Sequence, residues 1–156
     1  MTDNMKLEER DHRILDCLQA DCRMPNAALA EAVGMSVSAV WRRVRMLEEA
    51  GVIERYGAVV SPEAMGLTFH AIVHVHLTRH ERGRLADFIR AVETRPEVQE
   101  CFATTGQSDY HLRVLCRDLA AYNRFLEDFL FRLPAVDSAQ TNVVLRTIKR
   151  SGPVVS

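Results

Sequence analysis

An α+β protein in two domains is predicted by three observations. Residues 7–50 hold three short stretches with apolar side chains at three- and four-residue steps. From residue 68 onward the patterning runs strand, helix, strand, strand, helix, strand. Between the two, Ser61-Pro62-Glu63-Ala64-Met65-Gly66 is rich in turn formers. The expected division is a helical domain over 1–60, a linker over 61–67 and a sheet domain over 68–156.

In the first domain, Leu7, Ile14, Leu15 and Leu18 predict a helix over 8–18. A second opens at Pro25 or Asn26 with Leu29, Ala30 and Val33 on one face, and Gly34 supplies the left-handed conformation of a tight turn. The third is expected over 36–50, capped by Ser36, with Val37, Val40, Val44 and Leu47 facing inward and Ser38, Arg42 and Arg45 opposite. The β-branched stretch 52–60, interrupted by Gly57, suits two short strands forming a wing. Together these elements describe a winged helix-turn-helix. The plainer alternative is a trihelical bundle with a solvated arginine face.

That third helix points to duplex DNA. Its capped N-terminus leaves the positive end of the helix dipole available to phosphate, so Ser36, Ser38 and Ala39 are candidate backbone contacts. Arg42, Arg43 and Arg45 are candidate phosphate or guanine contacts, with a half-buried Arg43 as the alternative for that residue. The net charge of −1 does not oppose this, because no acid lies between Glu31 and Glu48 while three arginines do. Yet residues 1–60 hold eight Lys/Arg against ten Asp/Glu, so the patch is local, and tight binding calls for two or more copies on one site. Trp41, the single tryptophan, lies beside Val40 and Val44 and is expected to pack between helices; contact with a thymine methyl is the alternative.

The second domain is expected to place strands over 68–79, 98–105, 109–116 and 139–148 and helices over 82–94 and 119–133. This βαββαβ order is that of a ferredoxin-like antiparallel sheet with both helices on one face. Apolar residues on both faces of several strands call for a partner over the uncovered face, and a homodimer is the simplest one. His70, His74, His76 and His80 share one side of the first strand. Two copies could assemble a four-imidazole zinc site there, but with no Cys or acidic ligands nearby, interface polarity or pH-sensitive packing explains the row better. No metal or cofactor is assigned. Cys17, Cys22, Cys101 and Cys116 lack C-x-x-C spacing and are expected to be free buried thiols in a reducing compartment. With no apolar run of the roughly 18 residues a membrane helix needs and no signal-peptide layout, the expected location is the cytoplasm, away from any membrane.

The chain resembles the Lrp/AsnC family of transcription regulators over nearly its whole length. The resemblance is carried by Asp11-x-x-Ile14-Leu15, Asp21-x-Arg23, Leu29-Ala30, Val33-Gly34, Ser36, Arg43-Val44, Leu47-Glu48, Gly51-x-Ile53, Gly66, Gly106-x-x-Asp109-Tyr110 and Leu133-Pro134-x-Val136. It implies a dimer-based oligomer, often an octamer, that binds DNA through its N-terminal domain and senses a small effector, most often an amino acid, through the other. Cys22 stands where relatives often carry glycine, which implies a weakened cap on the first helix.

The effector site is expected in Thr104-Thr105-Gly106-Gln107-Ser108-Asp109-Tyr110. Gly106 permits close backbone approach, exposed N–H groups can hold a carboxylate, and Asp109 can pair with an α-ammonium; a simple β-turn is the competing explanation. The resemblance adds Asn142 and Val143, contributed by a second subunit, and Asn142 replaces an aromatic found in some relatives, which implies an effector more polar than leucine. A different class of function also fits the two-domain fold, which resembles tetrapyrrole decarboxylases with histidine and arginine side chains on propionates. The arginine-rich third helix argues against an enzyme.

Overall fold

The computed structural model describes residues 6–78, 82–150 and 152–154. Two compact units form, one from residues 1–59 with 149–156 and the other from 60–148.

Three helices build the first unit: α1 (Glu9–Ala20), α2 (Asn26–Val33) and α3 (Val37–Glu49). Ile14, Leu29, Ala30, Val33, Val40 and Leu47 form its core. Gly34, at φ 66°, turns α2 into α3 as expected of a left-handed cap. The expected cost at Cys22 does not arise, because α1 ends on Asp21 in an extended conformation and no described non-glycine residue has positive φ. No strand forms over 52–60. The β-branched residues there have strand propensity, but no neighbouring segment pairs with them, and Val59 is almost fully exposed. The C-terminal tail groups with this unit rather than with the sheet domain expected over 68–156. Gln19 at the end of α1 grips Val154 from both sides, donating from Nε2 to its carbonyl (3.1 Å) and accepting its N–H (2.7 Å).

The second unit has the expected order: β1 (Phe69–Leu77), α4 (Arg82–Glu93), β2 (Val98–Ala103), β3 (Tyr110–Cys116), α5 (Leu119–Asp128), a 3-10 turn (Leu130–Arg132) and β4 (Val136–Val143). The antiparallel strands lie in the order β2-β3-β1-β4. One sheet face, with Ala71, Val73, Val75, Leu112 and Val114, packs on Phe88 and Val92 of α4 and Tyr122 and Phe125 of α5. Two elements differ from expectation by three residues or more. The helix expected to reach 133 ends at Asp128, where Phe129 leaves helical geometry; the 3-10 turn then carries the chain to Arg132, and Leu133, which precedes Pro134, is extended. The last strand starts and stops earlier than 139–148: β1 begins at Phe69, so after the Val144 N–H to His70 carbonyl bond (2.8 Å) no partner backbone remains.

Register defines the uncovered face. His70, Ile72, His74 and His76 of β1 stand opposite Leu115, Arg113 and His111 of β3 and Asn142, Gln140 and Ser138 of β4. Three of the expected histidines share this face and His80 lies outside the described residues. His111 joins the row unforeseen, its ring edge-on to His74 at 4.5 Å. Among the described residues no group of three or more potential ligands is placed to hold a metal ion. No described helix is long and apolar enough to cross a membrane.

Candidate nucleic-acid interface and effector loop

Ser36 caps α3, its Oγ accepting the Ala39 N–H (3.3 Å) and lying 3.3 Å from Ser38 Oγ. The helix then presents two sides. Val40 and Leu47 are buried and Ala39 and Val44 are half-buried, whereas Ser38, Trp41, Arg42 and Arg45 are exposed on one continuous face. Val37 was expected inside but is 50% exposed, because it occupies the first turn, ahead of the contact with the core. Trp41 is packed only in part: it is 55% exposed, borders a hollow with Leu18, Met24, Val44 and Tyr56, and has Arg45 placed 5.8 Å from its ring centre. Arg45 also pairs with Glu49 at 3.4 Å on the surface.

Arg43 departs most from its expected role. Its side chain is only 21% exposed and turns inward to Asp11, which is fully buried. Nε bonds Asp11 Oδ1, Nη2 bonds Oδ2 at 2.6 Å, and Glu8 lies 3.5 Å from the same guanidinium. Asp11 Oδ2 also accepts the Glu8 backbone N–H (2.7 Å), so one carboxylate closes the start of α1 and anchors α3. Arg43 is therefore withdrawn from the exposed contacts. The hydrogen bond from Arg43 holds the Asp11 carboxyl below the usual aspartate range, against the opposing pull of burial. Beyond α3, Tyr56 donates to Glu48 Oε1 (2.9 Å), and burial together with this bond pushes its phenol up to about 12.

In the second unit, the loop joining β2 to β3 is braced from within. Thr104 Oγ1 donates to the Ser108 carbonyl (3.1 Å), the Thr104 N–H to the Asp109 carbonyl (3.0 Å), and the Asp109 N–H to Val75 of β1 (3.0 Å). Gly106 has φ 129°, a conformation that disfavours any side chain. Asp109 has a task the sequence did not reveal: Oδ2 accepts the Leu77 N–H at 2.8 Å, tying the loop to the end of β1. Ser108 is buried and Thr105 exposed. Tyr110 is drawn away from the loop, because its ring packs against Phe88 of α4 at 5.1 Å. Asn142 and Val143 are not brought to the loop within one chain. Tyr110 stands opposite Val75, whereas Asn142 and Val143 stand opposite Ile72 and Ala71, farther back along β1 and on its other edge. Asn142 is instead hydrogen-bonded to His74 Nε2 at 3.0 Å. All four cysteines are free, but only Cys116 is buried, and burial pushes its thiol up to about 11.

A helix-turn-helix with an exposed cationic helix, followed by a half-covered antiparallel sheet with a braced glycine loop, defines a two-domain DNA-binding regulator. A winged helix-turn-helix DNA-binding profile matches residues 7–54, and the Lrp/AsnC ligand binding domain matches residues 70–154. The leucine-responsive regulatory protein of Escherichia coli is 35% identical over 96% of this chain and 91% of its own length. A transcriptional regulatory protein of Halomonas elongata is 36% identical over 97% and 96%. The crystal structure of a Neisseria meningitidis transcriptional regulator in complex with L-methionine superposes with a TM-score of 0.91 at 36% identity, covering 96% of this chain and 97% of that one. The chain belongs to the Lrp/AsnC family of transcriptional regulators. These relatives are named regulators, and the decarboxylase alternative finds no support among them.

Proposed function

We propose that this protein reads duplex DNA in the cytoplasm with the exposed face of α3 and adjusts that reading when an α-amino acid occupies the loop between β2 and β3. Ser36, Ser38 and Ala39 lie at the helix start to meet phosphate through backbone and hydroxyl donors, and Arg42 and Arg45 reach bases or phosphates. Arg43 positions the helix from behind. The observation that carries the reading is this division of labour, with exposed cations on one face and the third arginine anchored to Asp11.

At the loop, the second Asp109 oxygen is left to face an α-ammonium, and backbone N–H groups around Gly106 face the carboxylate. The support is the left-handed Gly106 and the exposed carboxylate beside it. The L-methionine complex of a Neisseria relative supports an amino acid as the ligand class. A second copy laid over the uncovered sheet face would bring its Asn142 and Val143 within reach, and that face offers Ile72 and the exposed Phe102 to a partner. Light scattering on the full-length protein should therefore give at least a dimer, with an octamer as the higher assembly. A monomer at micromolar concentration removes the shared site.

Thermal shift against the twenty amino acids identifies the ligand, and calorimetry then tests the loop. Asp109→Asn keeps an oxygen for the Leu77 N–H, so folding should persist while affinity falls by about 1.5–3 kcal/mol. Gly106→Val should also abolish the response, because φ 129° strains any residue with a Cβ. Unchanged affinity in both variants places the ligand elsewhere.

A further inference from the structure

We infer that Trp41 is a specificity-determining residue that reads the 5-methyl group of thymine in the major groove. The inference rests on the proposal that α3 enters that groove, and it adds what the arginines cannot supply. Guanidinium groups recognise phosphate and guanine; the thymine methyl is the one apolar feature on the base edges of the major groove, and it takes an apolar contact.

The geometry isolates Trp41 for this task. Val37, Trp41 and Arg45 follow one another at four-residue steps and form one exposed stripe, with Ser38 and Arg42 forming the next stripe round the same face. The indole is therefore flanked by the cations that would hold the helix against phosphate. Val40 and Leu47 fill the core side of α3 without it. An exposed indole beside an exposed valine, on the one helix face free of acids until Glu48, matches a surface that is anionic at its rim and apolar at one base edge. The ring borders a hollow of about 260 Å³ lined by Leu18, Met24, Val44 and Tyr56 among others, and more than half of the side chain remains exposed.

Deoxyuridine isolates the methyl group, since it pairs like thymidine and lacks only that substituent. A tight-binding duplex is first selected from a random pool with the full-length protein, and each thymidine in it is then replaced singly. Wild-type affinity should fall about 3- to 5-fold at one position per half-site, the loss expected for one methyl withdrawn from apolar contact. Trp41→Ala should show the same loss on the thymidine duplex and no further loss on the deoxyuridine one, and Trp41→Leu should restore part of it. Because Trp41 is the only tryptophan, its fluorescence reports the contact directly and should change on adding the selected duplex.

Wild-type binding indifferent to every deoxyuridine replacement overturns the inference, whatever becomes of the variants. So does a Trp41→Ala protein that folds and keeps the full deoxyuridine sensitivity. Emission already shifted to the blue without DNA, and unmoved by it, assigns the indole to a contact between copies instead. Failure of the underlying reading has a different signature: Arg42→Ala with Arg45→Ala would then leave affinity intact, whereas loss of DNA binding in that double variant alongside deoxyuridine indifference sinks the thymine contact alone.

Discussion

Asp11→Ala is expected to destabilise the N-terminal unit by about 2–3 kcal/mol and to weaken DNA binding with it, although Asp11 lies on the inner side of the unit. The carboxylate accepts from the start of α1 and from two guanidinium nitrogens of α3, so its removal leaves Arg43 with only Glu8 at 3.5 Å. The loss stays below the roughly 3–5 kcal/mol of a fully sequestered pair, because 21% of the Arg43 side chain remains in water. At about 4–8 °C per kcal/mol for a unit of this size, the effect is plain in a melting curve. The pH dependence has a defined sign. Arg43 depresses the Asp11 carboxyl in the folded state, so its stabilisation is complete above the ordinary value of 3.8 and is lost as pH falls through the lower folded value. Wild type should therefore lose melting temperature below pH 4 faster than Asp11→Asn. Equal acid sensitivity in the two proteins would show that the pair contributes nothing.

What the sequence disclosed and what it hid divide along the distance between interacting residues. Helices and strands were legible because their periodicity is local: Leu29, Ala30 and Val33 mark the inner face of α2, and Val73 and Val75 of β1 alternate with His74 and His76. The inward turn of Arg43 depends on an acid 32 positions earlier, and the bond from Leu77 depends on one 32 positions later, Asp109. No helical repeat encodes either. Trp41 follows the buried Val40 in the chain, and one step along a helix turns its side chain about 100° away from the core. The end of β4 is dictated by where β1 begins, and the missing wing strands by the lack of a partner backbone; propensity in 52–60 supplies neither. His111 joined the histidine row through register alone. The Gly106 loop was legible in its residues but not in its bracing, which consumes one oxygen of the carboxylate expected to meet the ligand.

The double variant Arg42→Ala, Arg45→Ala should lose DNA binding without losing stability. Each side chain is worth about 1–3 kcal/mol where it contacts a base; where it contacts phosphate, its removal flattens the dependence of affinity on salt by about one unit of slope. Both arginines are exposed, and the surface pairing of Arg45 with Glu49 at 3.4 Å adds little to the fold. The melting temperature should thus stay at the wild-type value. Asp11→Ala, by contrast, should lower melting temperature and affinity together, because it acts by releasing α3 rather than by removing a contact. Fluorescence anisotropy on a selected duplex across several salt concentrations, paired with a melt of each variant, separates the two routes. If the double variant binds as tightly as wild type at every salt concentration, the exposed face of α3 does not meet DNA, and the inward turn of Arg43 is then a matter of packing alone.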